Sequence, residues 1–288
     1  MRNVLLLTAL ILFVFVACKS KPRVPAAPPA PKVLAPRREA RQLPFSPTEK
    51  LTYDLRFTRA PLSISAGTIV FESVGIAARP SIDKLEFKSA PEDRLLHLRA
   101  VITAKGLLLR LFGLSVNDRF ETLVDANDFK VRAVLREIEE GKKHNLQTGL
   151  FDYEKNEAYY RTIDLNAPQN LAREKLVKLE PDMQDLLSAF YLMRLQELKE
   201  GLTYKFPLVY EGERNEFDVL VHGREIVETA LGKFNTIKLE PKLFGPGRIS
   251  AREGEFFMWV TDDAAHMPVK VQAKASGATI TASLNQKE

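Results

Sequence analysis

Cysteine is almost absent from this chain of 288 residues. The single cysteine, Cys18, has no partner within the chain, so no internal disulfide can stabilise the fold. Zinc sites built mainly from cysteine are excluded for the same reason, because such sites need several thiolate ligands. An unpaired cysteine in an exported chain needs another explanation, which the residues around Cys18 supply.

Histidine is also scarce, and its four copies are scattered. Their spacing forms no metal pair, and the chain contains no G-x-S-x-G elbow, no H-E-x-x-H motif and no phosphate-binding P-loop. We therefore predict that the protein is not an enzyme and has no catalytic residue, metal ligand or cofactor. The histidines are interpreted as surface or strand-edge residues: His97, His144, His222 and His266.

Paired acidic residues deserve separate consideration. Asp262 and Asp263 follow Trp259, and two carboxylates beside an aromatic ring could indicate glycoside hydrolysis. Adjacent residues of a strand point to opposite faces, however, so the two are poorly placed to share a substrate. Hydrogen bonding within a turn is the favoured interpretation. Glu253 and Glu255 are interpreted as hairpin charges.

The excess of positive charge is confined to one end of the chain. Residues 1–43 contain eight Lys or Arg and one acidic residue, a net +7, whereas the whole chain carries +5, which leaves −2 for residues 44–288. The folded part is therefore slightly acidic, and we predict no nucleic-acid partner. A basic tail near a membrane is attracted to anionic lipid headgroups. A solvated linker with no partner is the alternative.

The N-terminus has the form of an export signal. Arg2 precedes an apolar stretch over residues 4–16 that is interrupted only by Thr8. That stretch is shorter than the roughly 20 residues needed to cross a bilayer as a helix. We predict a signal peptide over residues 1–17. An uncleaved anchor is a weaker alternative.

The sequence Phe-Val-Ala-Cys at residues 15–18 resembles the lipobox of bacterial lipoproteins. The resemblance implies cleavage before Cys18, a diacylglyceryl group on its thiol, and usually three acyl chains in the mature protein. Phe15 departs from the usual Leu, and an ordinary signal peptide with a chance cysteine is the alternative. Lys19 stands where Asp would imply retention in the inner membrane. The expected location is thus the periplasmic side of the envelope, on the outer membrane.

Residues 18–44 are predicted to be a lipidated, proline-rich linker, and residues 45–288 a single β-rich domain. Seven prolines lie between residues 19 and 44, and such segments favour an extended polyproline II conformation. At about 3.1 Å per residue, the linker could hold the domain up to roughly 80 Å from the bilayer. Simple disorder would shorten this reach.

From Phe45 onwards the chain alternates apolar and polar residues, which is typical of strands with one buried face. Turn residues separate these segments, so we predict a mainly β fold, an antiparallel sheet that is strongly curved or closed into a barrel. The predicted strands include residues 51–57, 82–87, 96–102, 129–135, 158–163, 204–210, 217–221, 234–239, 256–260, 269–273 and 280–284.

Two segments break the alternation. Apolar residues at helical spacing predict one amphipathic helix over residues 182–199, with Asp182 as N-cap and Gly201 as the stop, packed on the sheet as a plug or lid. Residues 107–114 are almost wholly apolar and lie beside Gly106. They predict a buried strand or short helix, with a membrane-facing or ligand-facing loop as the alternative.

Several of these segments, taken in order, resemble a bacterial exported family known only as domain of unknown function 3108. The resemblance covers residues 45–285 and implies export and a β-rich body, without assigning any catalytic residue. Ala230 and Leu231 depart from the family, which tends to have Pro and Ala there. The matching segments are EKLTYD at 49–54, QDLLSAFY at 184–191, GLTYKFP at 201–207, GREIVETALGKF at 223–234, and WVTDD at 259–263 followed by MPV at 267–269.

Three functions remain open at this level. The first is a non-enzymatic envelope lipoprotein whose curved sheet binds an apolar or amphipathic ligand, as small antiparallel barrels can. The second is a structural or assembly factor that binds another envelope protein or a glycan. The third is a hydrolase of envelope polymers, which would need a polar cleft with converging carboxylates.

Overall fold

The computed structural model describes residues 43–104, 115–167, 169, 171–245, 248–250 and 253–288, together with the backbone of residues 32–34. The predicted signal peptide, Cys18 and the apolar residues 107–114 lie outside the described residues, as does most of the predicted linker.

Fifteen strands and one α-helix make up the described fold. The helix, α1, spans Leu186–Arg194. The strands are β1 Lys32–Leu34, β2 Lys50–Arg59, β3 Leu62–Ala77, β4 Leu95–Ala104, β5 Val116–Asp125, β6 Val131–Glu140, β7 Lys143–Asp152, β8 Glu157–Asp164, β9 Arg173–Lys178, β10 Thr203–Tyr210, β11 Glu213–Thr229, β12 Gly232–Pro241, β13 Glu255–Thr261, β14 Pro268–Ala275 and β15 Ala278–Lys287.

These strands form one sheet in which β2 to β9 and β10 to β15 are two antiparallel series. The last strand, β15, pairs with β2 and so joins the two series into a continuous sheet. Only β1 is parallel to its neighbour, β10, and it lies within the predicted linker. The prediction of a mainly β, strongly curved antiparallel sheet is confirmed. Of its two variants, the curved open sheet is correct, since the two end strands of the described sheet, β1 and β9, share no ladder.

Alternation of side chains explains why the sheet curves around one interior. On β2, Tyr53, Leu55 and Phe57 are buried while the residues between them are exposed. Where β3 bends against β4, Gly67 has a φ of +144°, and a Cβ there would lie 2.0 Å from the carbonyl oxygen of Thr103. Only glycine fits this bend, so the curvature is encoded locally.

The helix is shorter than predicted. Its N-cap is Asp185, whose carboxylate accepts hydrogen bonds from the backbone N–H groups of Leu187 and Ser188. Asp182 has a φ of +62°, and Gln184 instead makes a bridge to Leu208 of β10. Gln184 is therefore held at the edge of the sheet, and α1 begins only after the Asp185 cap.

One predicted strand, residues 82–87, is wrong. Only an isolated bridge joins Ile82 to Leu85, and Lys84 has a φ of +67°. The segment is a loop over the outer face of the sheet, where Ile82 packs on Leu123 and Leu135. Its alternating pattern reflects this one-sided burial, which a loop can share with a strand.

A buried ion pair holds the C-terminal end of α1 in place. The Arg194 guanidinium is fully buried and lies 2.6 Å from a carboxylate oxygen of Glu49. It also donates to the carbonyl oxygen of Ala265 and stacks 4.6 Å from the centre of the Phe45 ring. A buried cation with this many partners links the helix, the segment before β2 and the β13–β14 turn.

Candidate ligand-binding site

The helix lies inside the curve of the sheet and contacts β4, β5 and β10. Its N-cap fixes its position, because the hydroxyl of Thr122 on β5 donates to the same Asp185 carboxylate, at 2.9 Å. Burial raises the pKa of Asp185, while the hydrogen bonds from Ser188, Thr122 and Leu187 act in the opposite direction. The helix is therefore tied to the sheet at its first turn by a shared carboxylate.

Between α1 and the sheet lies a cavity of about 170 Å³. One wall is the apolar face of α1, which contributes Leu186, Leu187, Phe190 and Met193. Every strand from β2 to β8 contributes at least one residue, as does every strand from β10 to β15. The interior of the curved sheet is therefore hollow in part, and nearly the whole sheet surrounds the space.

The lining of the cavity is predominantly apolar. Phe190 stacks on Phe71 with ring centres 4.7 Å apart, and the small residues Ala100 and Ala282 also line the space. For scale, an apolar cavity of about 150 Å³ in another protein binds benzene. The space here suits a segment of one hydrocarbon chain and is smaller than the pockets of drug-sized ligands.

One side of the cavity is polar and lies at the open seam, where the edge strand β9 faces the end of the β10–β11 hairpin. There the β10–β11 turn, Glu211 and Gly212, approaches β9, and Lys175 donates to the Glu211 carbonyl oxygen at 3.4 Å. Arg136 donates to the Tyr210 hydroxyl at 2.9 Å and to the Glu211 carboxylate at 3.2 Å. Side chains rather than backbone hydrogen bonds thus connect the two sides of the seam.

A second pocket, which we call the basic pocket, adjoins the cavity at the seam. Its volume is about 280 Å³, and four of its lining residues also line the cavity: Arg136, Gln147, Tyr160 and Glu211. Its described lining carries four cationic side chains and one carboxylate, that of Glu211. The cations are Arg136, Lys143, Arg173 and Lys175.

Near the basic pocket, two acidic residues share a partly buried environment. Burial and the neighbouring charge of Asp118 raise the pKa of Glu140 to about 8. Burial likewise raises the pKa of Asp118 to about 6, against the hydrogen bonds that stabilise its ionised form. Glu140 lies 4.0 Å from Lys143, whose positive charge acts on both carboxyls and lowers their pKa values.

His97 was interpreted as a surface or strand-edge residue, but its side chain is buried. Its Nε2 lies 2.5 Å from the Glu121 carboxylate, and both side chains are buried. Although burial raises the pKa of Glu121, the hydrogen bond and charge of His97 bring it below its ordinary value. The pair links β4 to β5, and neither residue lines the cavity or the basic pocket.

The acidic pair singled out in the sequence lies in a separate surface groove of about 480 Å³. Asp262 pairs with Arg224 at 2.6 Å, while Asp263 accepts from the Thr261 hydroxyl and the Ala265 N–H within its turn. Turn hydrogen bonding is thus the role observed for Asp263. Among the residues described, no cluster of three or more His, Cys, Asp or Glu could hold a metal ion.

The basic pocket was missed at the sequence level. Its cations come from three different strands, and only the strand pairing brings them together. A signal was present, since the inward positions of β9 read Arg173, Lys175 and Val177, polar at one end and apolar at the other. Without the register, that pattern could not be assigned to the inner face.

Comparison with known sequences identifies the family. A sequence model for proteins of unknown function, DUF3108, matches residues 78–285. The chain belongs to the DUF3108 family. No curated protein sequence matches it.

Solved structures extend the comparison to the fold. A β-barrel-like DUF1849 protein from Brucella abortus is 12% identical, with a TM-score of 0.51, and the match covers 84% of this chain and 97% of that one. A candidate exported protein of YmcC-like fold from Bacteroides fragilis is 9% identical, covering 88% and 98%, with a TM-score of 0.34. A candidate lipoprotein from Parabacteroides distasonis is 10% identical, covering 85% and 98%, also at 0.34. The first match confirms a barrel-like fold for this DUF3108 chain.

In the described part of the chain, no helix has both the length and the apolar character needed to cross a membrane.

Proposed function

We propose that this DUF3108 protein is a non-enzymatic lipoprotein of the bacterial envelope whose curved sheet binds an apolar or amphipathic ligand. The cavity carries the proposal. It is enclosed by the helix and by strands of both halves of the sheet, and its lining is apolar except at the seam. A chain that packed its interior for stability alone would fill such a space with side chains.

The polar residues of the cavity support binding rather than catalysis. Asp185 caps the helix and accepts from Thr122, and Glu211 pairs with Arg136. Each carboxylate therefore has a structural partner. A general acid or base would instead be directed at a bound substrate.

The anchor is proposed from the N-terminal sequence. Cleavage before Cys18 and lipidation of its thiol would hold the protein on the periplasmic face of the envelope, with the outer membrane favoured by Lys19. Cells expressing the wild-type chain should incorporate radiolabelled palmitate into it, and a Cys18→Ser variant should not. Palmitate incorporation into the variant would contradict lipidation at this position.

Ligand binding can be tested by native mass spectrometry of the mature chain, residues 18–288 with Cys18→Ser, purified without detergent. We expect a bound species of lipid-like mass that solvent extraction removes. An Ala282→Phe variant, which would fill the cavity, should lack it. A wild-type chain that neither carries such a species nor takes up an added amphiphile would contradict the proposal.

A further inference from the structure

We infer that the basic pocket binds the anionic head, a carboxylate or phosphate, of a single-chain amphiphile whose hydrocarbon chain occupies the cavity. This inference rests on the proposed function and specifies its ligand class. A single chain is specified because a cavity of about 170 Å³ has no room for two.

Continuity between the two spaces is the first argument. Arg136, Gln147, Tyr160 and Glu211 line both the cavity and the basic pocket. A ligand that entered one space would therefore reach the other past shared side chains. An apolar space of about 170 Å³ joined to a polar one of about 280 Å³ matches an amphiphile, with a narrow tail and a hydrated head.

Charge is the second argument. The carboxylate of Glu211 already pairs with Arg136, so it does not neutralise the other cations of the pocket. Lys175 lies 3.0 Å from Glu213, but both side chains are about half exposed or more, where such a pair contributes little. Lys143 and Arg173 add two further positive charges. Together they select an anion over a neutral or cationic head.

The placement of Lys175 is the third argument. Lys175 and Arg173 are on the inward face of β9, with Val177, whereas Leu176 and Lys178 are on the outward face. Leu176 is 63% exposed, so this edge strand has a lysine inside and a leucine outside, the reverse of the usual pattern. A charge on the concave side of a sheet is explained if it meets a charged ligand there.

The experiment measures binding of decyl phosphate, decanoate, decanol and inorganic phosphate to the mature chain by isothermal titration calorimetry. We expect decyl phosphate and decanoate to bind about tenfold more tightly than decanol, because each exposed ion pair contributes modestly and several act together. Inorganic phosphate, which has no chain to bury, should bind far more weakly than decyl phosphate.

Variants on the two faces of β9 provide a matched comparison. Lys175→Gln should weaken decyl phosphate binding about threefold and leave decanol binding unchanged. Lys178→Gln makes the same charge change on the outward face of the same strand and should alter neither. Circular dichroism spectra and urea midpoints equal to those of the wild type would show that each variant is folded.

The outcomes separate the inference from the proposal on which it rests. Equal affinity for decanol and the two anions, or equal losses in both lysine variants, would overturn the basic pocket as the headgroup site while leaving the cavity as a ligand site. Phosphate binding as tight as that of decyl phosphate would also overturn it, since the chain would then contribute nothing. Failure of all the decyl compounds to bind would overturn both.

Discussion

The surroundings of α1 differ between its C-terminal residue, which is tightly packed, and its apolar face, which lines a cavity. At its C-terminal end, Arg194 is enclosed completely, with Glu49, the Ala265 carbonyl and the Phe45 ring as partners supplied by the chain itself. The apolar face of the same helix, from Leu186 beside the Asp185 cap to Met193, lines a cavity that continues into the basic pocket. Arg194 is fully packed and paired within the chain, whereas the cavity is unfilled and adjoins several cationic side chains.

This difference separates a structural role from a binding role. Charges that a fold needs for itself are paired within it, because an isolated buried charge is very costly. The cations of the basic pocket are held less tightly, since Lys175 pairs with Glu213 at an exposed position and Lys143 lies 4.0 Å from Glu140. Arg194 is therefore expected to contribute to stability, and the basic pocket at the seam to ligand recognition.

The largest effect is expected at the packed end. Arg194→Met should lower the free energy of unfolding by about 3–5 kcal/mol, because it leaves the Glu49 carboxylate buried without a partner. Urea denaturation of the mature chain would measure the loss. The double variant Arg194→Met with Glu49→Gln should recover part of it. A loss below about 1 kcal/mol would mean that the pair is not the structural element described here.

An intermediate effect is expected from enlarging two buried alanines. Ala189, on α1, is fully buried and does not line the cavity, so Ala189→Leu should cost about 1–3 kcal/mol through overpacking. Ala282 lines the cavity, so Ala282→Leu should cost less than about 1 kcal/mol and weaken decyl phosphate binding. Thermal and urea unfolding with calorimetric titration would test both. Equal costs at the two positions would show that the cavity does not exist in solution.

The smallest effect is a gradual dependence on pH. Because the pKa of Glu140 is raised from 4.5 to about 8, the folded chain binds a proton that the unfolded chain has released between these values. The free energy of unfolding should therefore fall as pH rises through that window, by on the order of 1 kcal/mol for each pH unit. Glu140→Gln should flatten this part of the profile in urea titrations at several pH values. A slope unchanged from wild type would contradict the assignment to Glu140.

Much of the sheet could be predicted from alternation alone, as Tyr53, Leu55 and Phe57 illustrate. Strand β3 could not, because register shifts at its pairings with β2 and β4, one near Gly67 and one near Gly75, break the alternation along its length. The helix start was misplaced because Asp182 and Asp185 are equally good caps in sequence. Only the bridge from Gln184 to β10 decides between them.

The candidate site could be predicted from the sequence less well than the fold. The sequence could not show whether the interior is hollow. Ala100 and Ala282 look like ordinary core residues in the sequence, and only the structure shows that they line a cavity. The cations of the basic pocket are separated by up to 39 residues, from Arg136 to Lys175, and carry no local motif. Their meeting depends on the pairing of β6 through β9 in register.

The most direct test of the account is a crystal structure of the mature chain with a decyl phosphate that carries bromine at the end of its chain. The account predicts an anomalous scattering peak inside the cavity, between α1 and the sheet, with the phosphate beside Lys175 and Arg136. A bromine peak on the outer surface, or an unchanged cavity with no ligand at saturating concentration, would contradict the claim that the curved sheet encloses a site for an amphiphile.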